Sequence, residues 1–427
     1  MELTSIILIS YGVLLGLFLI NFIAHSYYIK FLKVRKTPLK TLQNSTILNK
    51  FIVLIPARYE SKVIENLLKS LKEQTYNSSF FDVYIITESE KDKTNSLALK
   101  YGYHYILRDK IRNRKTKGYA LEDGYNYLKN NDISFDALII LDADNVIDSN
   151  YLYEMNILKN DGYDIGVGYR KSTNANKNLI SASSSLLFTY QSLFVNHCRT
   201  NLFKKFAISG TGYFISNNVL KLSNGWIWTG LTEDVELTRF AYANNINMGF
   251  NENAIFYDEQ PIDYKTMHKQ HVRWVWGYYN KDRHIEYKQI HDNSVKNLAK
   301  HEYLHAMNLF IYSEAINVLH IVFSIIMTLY SFILGYHHNA LIYFILIFID
   351  ILLILLFCNL VTLFEILVTK NDFKISKLLK FKVINLGFVF WFDFLFAYLD
   401  GFFHKSKRKK WEKIKHKGEI IEEESIE

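Results

Sequence analysis

Hydrophobic residues are distributed unevenly along the chain, and their spacing changes from one region to the next. From Leu3 to Ile29 there is no Asp, Glu, Lys or Arg, and three further apolar blocks lie between about Asn308 and Phe403. Each block is long enough to cross a bilayer, which takes roughly 20 apolar residues. Between Lys50 and Tyr169 short apolar, β-prone runs alternate with stretches of helical period, the pattern of a mostly parallel sheet covered by helices. The predicted strands are Phe51 to Ile55, Val83 to Thr87, Tyr103 to Leu107, Ala137 to Leu141 and Ile165 to Tyr169. Ile64, Leu67, Leu68 and Leu71 recur at helical spacing after the first of them. From Ser172 to about Lys281 the alternation is less regular, with a helical stretch near Leu179 to Arg199, and this reads as the second half of the same α/β domain. In open α/β sheets ligands bind beyond the C-terminal ends of the strands. Pro56 to Glu60, Glu88 and Asp142 to Asn145 occupy those ends.

The expected organisation is an N-terminal anchor over 1–30, an α/β domain over 45–285, a C-terminal membrane region of two or three apolar helices over 305–403, and a charged tail over 404–427. A cleaved secretory signal would need a basic start, a shorter apolar run and a small-residue cleavage site. Here the chain starts Met1-Glu2, and Lys30, Lys33, Arg35 and Lys36 follow the first block. The positive-inside rule then puts the α/β domain in the cytoplasm of a multi-pass cell-membrane protein. Three spanning blocks after that domain would place Lys405 to Lys417 outside, against the same rule, while the basic loop Lys370 to Lys380 belongs inside. One C-terminal block is therefore expected to be interfacial or re-entrant, the last being favoured. Asp393 and Asp400 in that block are costly in lipid, so they should face protein, water or a polar ligand, or the block should lie on the membrane surface.

Of the 427 residues 49% are hydrophobic, enough for a large soluble domain and a separate membrane region. The formal charge of +8 has much of its excess in Lys405 to Lys417. Beside a membrane, such a run meets anionic lipid headgroups, and no nucleic-acid partner is expected. Two cysteines, Cys198 and Cys358, supply neither a disulfide framework nor a zinc cluster.

Three polar clusters carry the candidate chemistry. Asp142-Ala-Asp144 follows the run Ala137 to Leu141, so two carboxylates leave a strand end and can face one point. Mg²⁺ or Mn²⁺ takes such oxygen ligands and keeps positions for substrate phosphates. A solvated strand-to-loop turn would show the same residues. Thr232-Glu233-Asp234 precedes an apolar helical stretch; Thr232 can cap that helix, while Asp234 in its first turn is either favoured by the dipole or a general base. Gln270, Arg273 and Trp274 share one face of a helix at i, i+3 and i+4. That face can bind phosphate through the guanidinium and a sugar or base through the indole, or rest on a membrane surface.

In order and spacing these clusters resemble the family 2 glycosyltransferases of GT-A fold, in particular the membrane-bound processive branch of cellulose, hyaluronan and poly-N-acetylglucosamine synthases. The similarity runs from about Phe51 to Tyr279. Pro56-Ala-Arg-Tyr-Glu60 is similar to the family's Pro-Ala-Tyr-Asn-Glu, which implies that Glu60 contacts the nucleoside. Glu88 stands where the family carries an Asp for uracil, and Lys117-Gly-Tyr-Ala-Leu121 resembles Gly-Lys-Gly-Tyr-Ala-Leu with Thr116 in place of the first glycine. The resemblance further implies donor and metal contacts from Asp142 and Asp144, a catalytic base in Asp234, and a donor contact from Arg273. Acceptor contacts would come from Gly210, Thr211, Gly212, Gln270 and Trp274. Tyr257-Asp-Glu-Gln-Pro261 also resembles a stretch of bacterial members.

What the resemblance implies is an inverting, metal-dependent transfer from a UDP-sugar to a saccharide acceptor, giving a β-linked cell-surface polysaccharide. The alternative is a lipid glycosyltransferase adding one or a few sugars to a membrane lipid. A third reading is a non-catalytic saccharide-binding membrane protein, against which the retention of Asp142, Asp144, Asp234 and Arg273 speaks.

Overall fold

The run Phe51–Pro56 contains no charged side chain and is buried along its length, so it forms a central strand, β1. In the computed structural model, which describes residues 32–36, 47–108, 114–278, 322 and 325–404, β1 pairs in parallel with β2 (Phe81–Thr87) and β4 (Ala137–Ile140). β3 (His104–Leu107) continues the parallel half. With β5 (Val146–Ile147), β6 (Ile165–Ser172), β7 (Tyr213–Ser216) and β8 (Met248–Asp258) the sheet has eight strands in the order β3-β2-β1-β4-β7-β6-β8-β5. β7 is antiparallel to both β4 and β6, and β5 to β8, whereas β6 and β8 are parallel. The five predicted strands all form, within two or three residues of their expected bounds. β7 and β8 come from the less regular half, where the alternation was not read as strand.

Side chains of a strand alternate between faces, and the core divides accordingly. Phe51, Val53 and Ile55 pack with α1 (Ile64–Lys72), α2 (Lys93–Lys100) and α4 (Tyr151–Asn160). Ile52 and Leu54 pack with α3 (Lys117–Asn130), α7 (Asn217–Leu222) and α8 (Glu233–Ala243) on the other side. Ile64, Leu67, Leu68 and Leu71 are all fully buried, as their spacing predicts. The chain reverses strand order beside β1, since β2 lies on one side of it and β4 on the other. Such a switch opens a crevice beyond the strand ends.

The helical stretch predicted near Leu179 to Arg199 is present as α5 (Leu179–Tyr190), a π-helical turn (Gln191–Asn196) and α6 (His197–Phe203). Ala182 and Leu186 of α5 pack against Ile366, Phe373, Leu379 and Val383 of the C-terminal region. That region contains the long helix α10 (His337–Val368), then α11 (Lys377–Leu386) and α12 (Phe388–Phe403). Between them α9 (Tyr264–Tyr278) leaves the sheet and packs on α12. Phe344, Phe348, Leu352, Leu356 and Phe381 leave much of their surface uncovered.

The expected membrane region held two or three apolar helices, one of them interfacial or re-entrant. Among the described residues no single helix is long and apolar enough to cross a membrane; α11 and α12 pass that test together but are bent by 43°. The residue between them, Gly387, would clash through any Cβ with the Val383 carbonyl. The anchor expected over 1–30, the start of the first C-terminal block and the basic tail lie outside the described residues.

Gly212 precedes β7 at φ +70°, and a Cβ there would lie 2.1 Å from the Phe256 ring, so both backbone and space require glycine. Gly212→Ala should cost about 2–4 kcal/mol. Gly162→Ala, at φ +83° with nothing within 4 Å, carries only the backbone strain, about 1–2 kcal/mol. Thermal unfolding of the purified chain should rank them in that order.

Candidate active site

The site begins where β4 ends. Leaving the strand, the chain turns at once: the Asn145 N–H donates to the Asp142 carbonyl at 3.0 Å. The Asn145 side-chain oxygen accepts from the Asp142 N–H at 2.9 Å and from the Thr211 hydroxyl at 2.6 Å. The same Asp142 N–H also reaches the Thr211 oxygen at 2.9 Å, so the aspartate turn and the Gly210–Gly212 loop form one unit. Asn145 and Thr211 are 0% and 1% exposed. The Thr211 hydroxyl is thereby committed to the aspartate turn. Gly210 and Gly212 are both at positive φ.

Lys117 joins this unit to two others. It is the first residue of α3, whose N-cap is Thr116; that hydroxyl accepts from the Tyr119 N–H at 3.3 Å and donates to the Thr229 carbonyl at 2.6 Å. The departure from glycine at Thr116 thus has a structural use. The Lys117 ammonium lies 2.6 Å from Asp142 Oδ1, donates to the Gly210 carbonyl at 2.7 Å, and lies 3.6 Å from Glu233 Oε1. Desolvation opposes its charge, but Asp142 and Glu233 outweigh that and hold its pKa above the usual lysine range.

The carboxylates crowd one another. Desolvation, then Asp142 and Asp258, push Asp144 up to about 8 although Arg170 opposes them. Glu233, 5% exposed, is pushed up to about 7 by burial, with Lys117 pulling the other way. Asp234 is raised by burial and held down in part by the Val235 N–H, Lys117 and Arg273. Asp142 and Asp144 fit a divalent cation: both offer hard oxygen ligands, and the strain on Asp144 is the kind that bound positive charge relieves. No group of three or more His, Cys, Asp or Glu suited to a metal occurs among the described residues, so further ligands would come from water or phosphate.

Asp234 lies in the first turn of α8, with Oδ1 accepting from the Val235 N–H at 2.9 Å. A Cβ on Gly210 would be 3.7 Å from its other oxygen, so the glycine leaves Asp234 open toward the loop. Thr232 is the N-cap residue but makes no side-chain cap bond, contrary to the sequence expectation. Instead it packs under α9, where a Gly277 Cβ would lie 2.4 Å from its methyl group. That contact brings α9 beside α8, and Arg273, half-buried, faces Asp234 closely enough to stabilise its charge. Gln270 is half-buried on the same side of the helix. Trp274 meets the Phe188 ring edge-on at 6.1 Å.

Glu60 and Glu88 end β1 and β2 and border the far side of the crevice. Glu60 is buried, and its carbonyl accepts from Val63 and Ile64 at the start of α1. Glu88 bridges two arginines, Arg58 at 2.9 Å and Arg108 at 3.1 Å. Arg108 is in turn held by Asp123 at 2.8 Å and by the Arg114 carbonyl at 2.7 Å.

Sequence reasoning assigned no role to Asn145, Glu233, Arg58 or Asp258, which lie inside stretches it quoted, and did not single out Arg108 or Arg170. Asn145 and Glu233 adjoin residues it did single out. Asp258, within the unassigned Tyr257 to Pro261 stretch, is ion-paired with Arg170 and receives a hydrogen bond from Gln260 at 2.7 Å. Its proximity to Asp144 depends on the β6–β8 pairing, which no local pattern announces.

The family model described as glycosyltransferase like family 2 matches residues 49–277. The probable glycosyltransferase YdaM of Bacillus subtilis (strain 168) is 26% identical over 245 residues, 56% of this chain and 57% of that protein. The chain thus spans little more than half the length of that curated relative. Among solved structures, the mannosyltransferase PcManGT from Pyrobaculum calidifontis, in complex with GDP-Man and Mn²⁺, is 15% identical with a TM-score of 0.49, covering 82% of this chain and 98% of its own. TarS 1-349 of S. aureus in complex with UDP-GlcNAc is 15% identical with a TM-score of 0.38, covering 68% and 89%.

Thr211→Val keeps the shape of the side chain but leaves Asn145 and the Asp142 N–H short of a buried partner. It should lower stability by about 1–3 kcal/mol, and Thr211→Ser, which keeps the hydroxyl, by about 1 kcal/mol or less. Urea titration of the two variants checks this.

Proposed function

The chain belongs to glycosyltransferase-like family 2, and from that premise we propose that it moves a sugar from a UDP-sugar to a saccharide acceptor at the cytoplasmic face of a membrane, building a β-linked cell-surface polysaccharide. The observation that carries the reading is the Lys117 ammonium. It draws together the aspartate turn, the Gly210 loop and the Thr232–Asp234 segment within 2.6, 2.7 and 3.6 Å. Residues about 90 positions apart meet there, and a diphosphate linked to a reacting sugar needs those groups side by side.

Lys117 stands at the N-terminus of α3, where the free N–H groups and the ammonium favour a phosphate. Arg273 offers a second cation on the side of Asp234. A Mg²⁺ or Mn²⁺ ion on Asp142 and Asp144 would add positive charge for the leaving diphosphate. Asp234, beside the open Gly210 backbone, takes the proton of the acceptor hydroxyl. That oxygen then forms its bond to the anomeric carbon as the bond to the diphosphate breaks. A single displacement turns an α-linked donor into a β-linked product.

The membrane reading draws on the uncovered apolar side chains of α10 and α11 and on the bend between α11 and α12, which suits a re-entrant or interfacial segment. Asp393 and Asp400 face His268 on α9 at 2.7 and 3.3 Å. They therefore meet protein, as their cost in lipid requires. Base selectivity at Glu88 is set jointly with Arg58 and Arg108.

Purified membranes offered a panel of nucleotide sugars should release UDP and form a saccharide, and EDTA should stop both. A product that remains a single glycolipid would replace polymer synthesis with lipid glycosylation. Asp234→Asn should lower kcat by about 10²–10⁴-fold, and a near wild-type rate in that variant removes the base assignment. Because transfer needs Asp234 ionised and burial raises its pKa above the usual carboxylate range, activity should be lost as pH falls while still above that range. A pH–rate profile whose acid limb lies near 4, the ordinary carboxylate range, would contradict this.

A further inference from the structure

The helix carrying Gln270, Arg273 and Trp274 has a second, opposite face that the transfer reaction does not use. At about 100° per residue, Tyr264, His268 and His271 lie roughly 160° around α9 from Gln270, Arg273 and Gly277. On that face His268 Nδ1 and His271 Nδ1 donate to the two oxygens of Asp393 on α12, each at 2.7 Å. A carboxylate can only accept, so both rings must present N–H to it. The Tyr264 ring stacks on His268 at 5.8 Å, and the second nitrogen of His268 reaches Asp400 at 3.3 Å. Asp393 is 0% exposed, and the residues flanking it in α12 are Phe392 and Phe394.

Elsewhere in this interface the Trp276 indole donates to the Ala397 carbonyl at 3.2 Å and packs on Gly401, while the rings around Asp393 pack with little direction of their own. A buried, fully bonded polar group fixes register instead, which is the best-attested use of such groups. On the site side of α9 the restraint in view is the close packing of Gly277 on Thr232. Rotating α9 by one residue's worth would carry Arg273 away from Asp234.

We propose that Asp393 is a positioning residue for sugar transfer: through His268 and His271 it fixes the rotation of α9 and so holds Arg273 at the reaction centre opposite Asp234. This rests on the transferase reading above. It makes the apolar C-terminal helix part of the catalytic support, and couples the site to the segment proposed to meet the membrane.

The test is a double-mutant cycle on the full chain in membranes, with donor turnover measured for wild type, Asp393→Ala, Arg273→Lys and the double variant. Asp393→Ala should lower kcat by about 10²-fold, the scale of a small misplacement in a reaction centre. In the Arg273→Lys background the same change should cost less than about twofold, because the group it positions is already compromised. If the two losses multiply, or Asp393→Ala turns over as wild type does, the positioning role is wrong and the transferase reading stands. If wild type turns over no nucleotide sugar, or Arg273→Lys has no effect, the reading itself fails and this inference fails with it. Should Asp393→Ala not accumulate, His271→Phe runs the same cycle. It keeps a ring to stack on Phe394, now at 4.0 Å, and removes the N–H donor.

Discussion

Gathering Asp142, Asp144, Glu233 and Asp234 at one crevice raises an electrostatic problem that the fold must solve before any substrate arrives. Like charges in a partly desolvated pocket repel, and each carboxyl drifts toward its neutral form. The Lys117 ammonium is the main counterweight within the chain: it touches Asp142 and the Gly210 carbonyl and lies near Glu233. Much of the surrounding structure serves to place it. Thr116 caps α3 so that the lysine stands at the helix start, and Gly118 lets that turn approach the Trp228 carbonyl, where a Cβ would lie 2.3 Å away. The compensation is incomplete, since Asp144 is still pushed up to about 8, the kind of crowding that a bound positive charge would relieve.

Away from this centre the fold is a set of rigid supports. The aspartate turn is tied to the Gly210 loop through Asn145 and Thr211, so neither can move alone. Asp258 is held by Arg170 and Gln260 at the end of β8, and Arg170 in turn lies 3.6 Å over the Phe188 ring that meets Trp274. Helix α9 is gripped on one side by Thr232 and on the other by Asp393. The C-terminal helices therefore touch the chemistry through a short relay of side chains as well as by covering apolar surface.

The degree to which this was legible follows from the range of each interaction. β1 to β4 and α1 were readable because burial on both faces of a strand, or one face of a helix, leaves a local period in the chain. Asp142, Asp144 and Asp234 stood out as candidates because each follows or opens a recognisable element, and Arg273 because it shares a helix face with Gln270 and Trp274. Thr232 was misjudged as a cap, and the bonds of the Thr211 hydroxyl were not legible either: what a hydroxyl meets depends on distant neighbours, some 66 residues away in the case of Thr211 and Asn145. The three unrecognised strands, β5, β7 and β8, depend on antiparallel and mixed pairing that gives them no βα rhythm.

By itself, then, the sequence determined the parallel half of the sheet, the three chemical clusters and their order, and the apolar nature of both ends. Only the tertiary structure decided that Lys117 is the meeting point of those clusters, that Glu88 shares its carboxylate with two arginines, and that Asp393 faces histidines of α9. The physical reason is one of distance along the chain. Hydrophobic period and turn chemistry act over a few residues and leave a local signature. Pairing between buried charges about 90 to 130 residues apart leaves none until the sheet and helices bring them within a hydrogen bond.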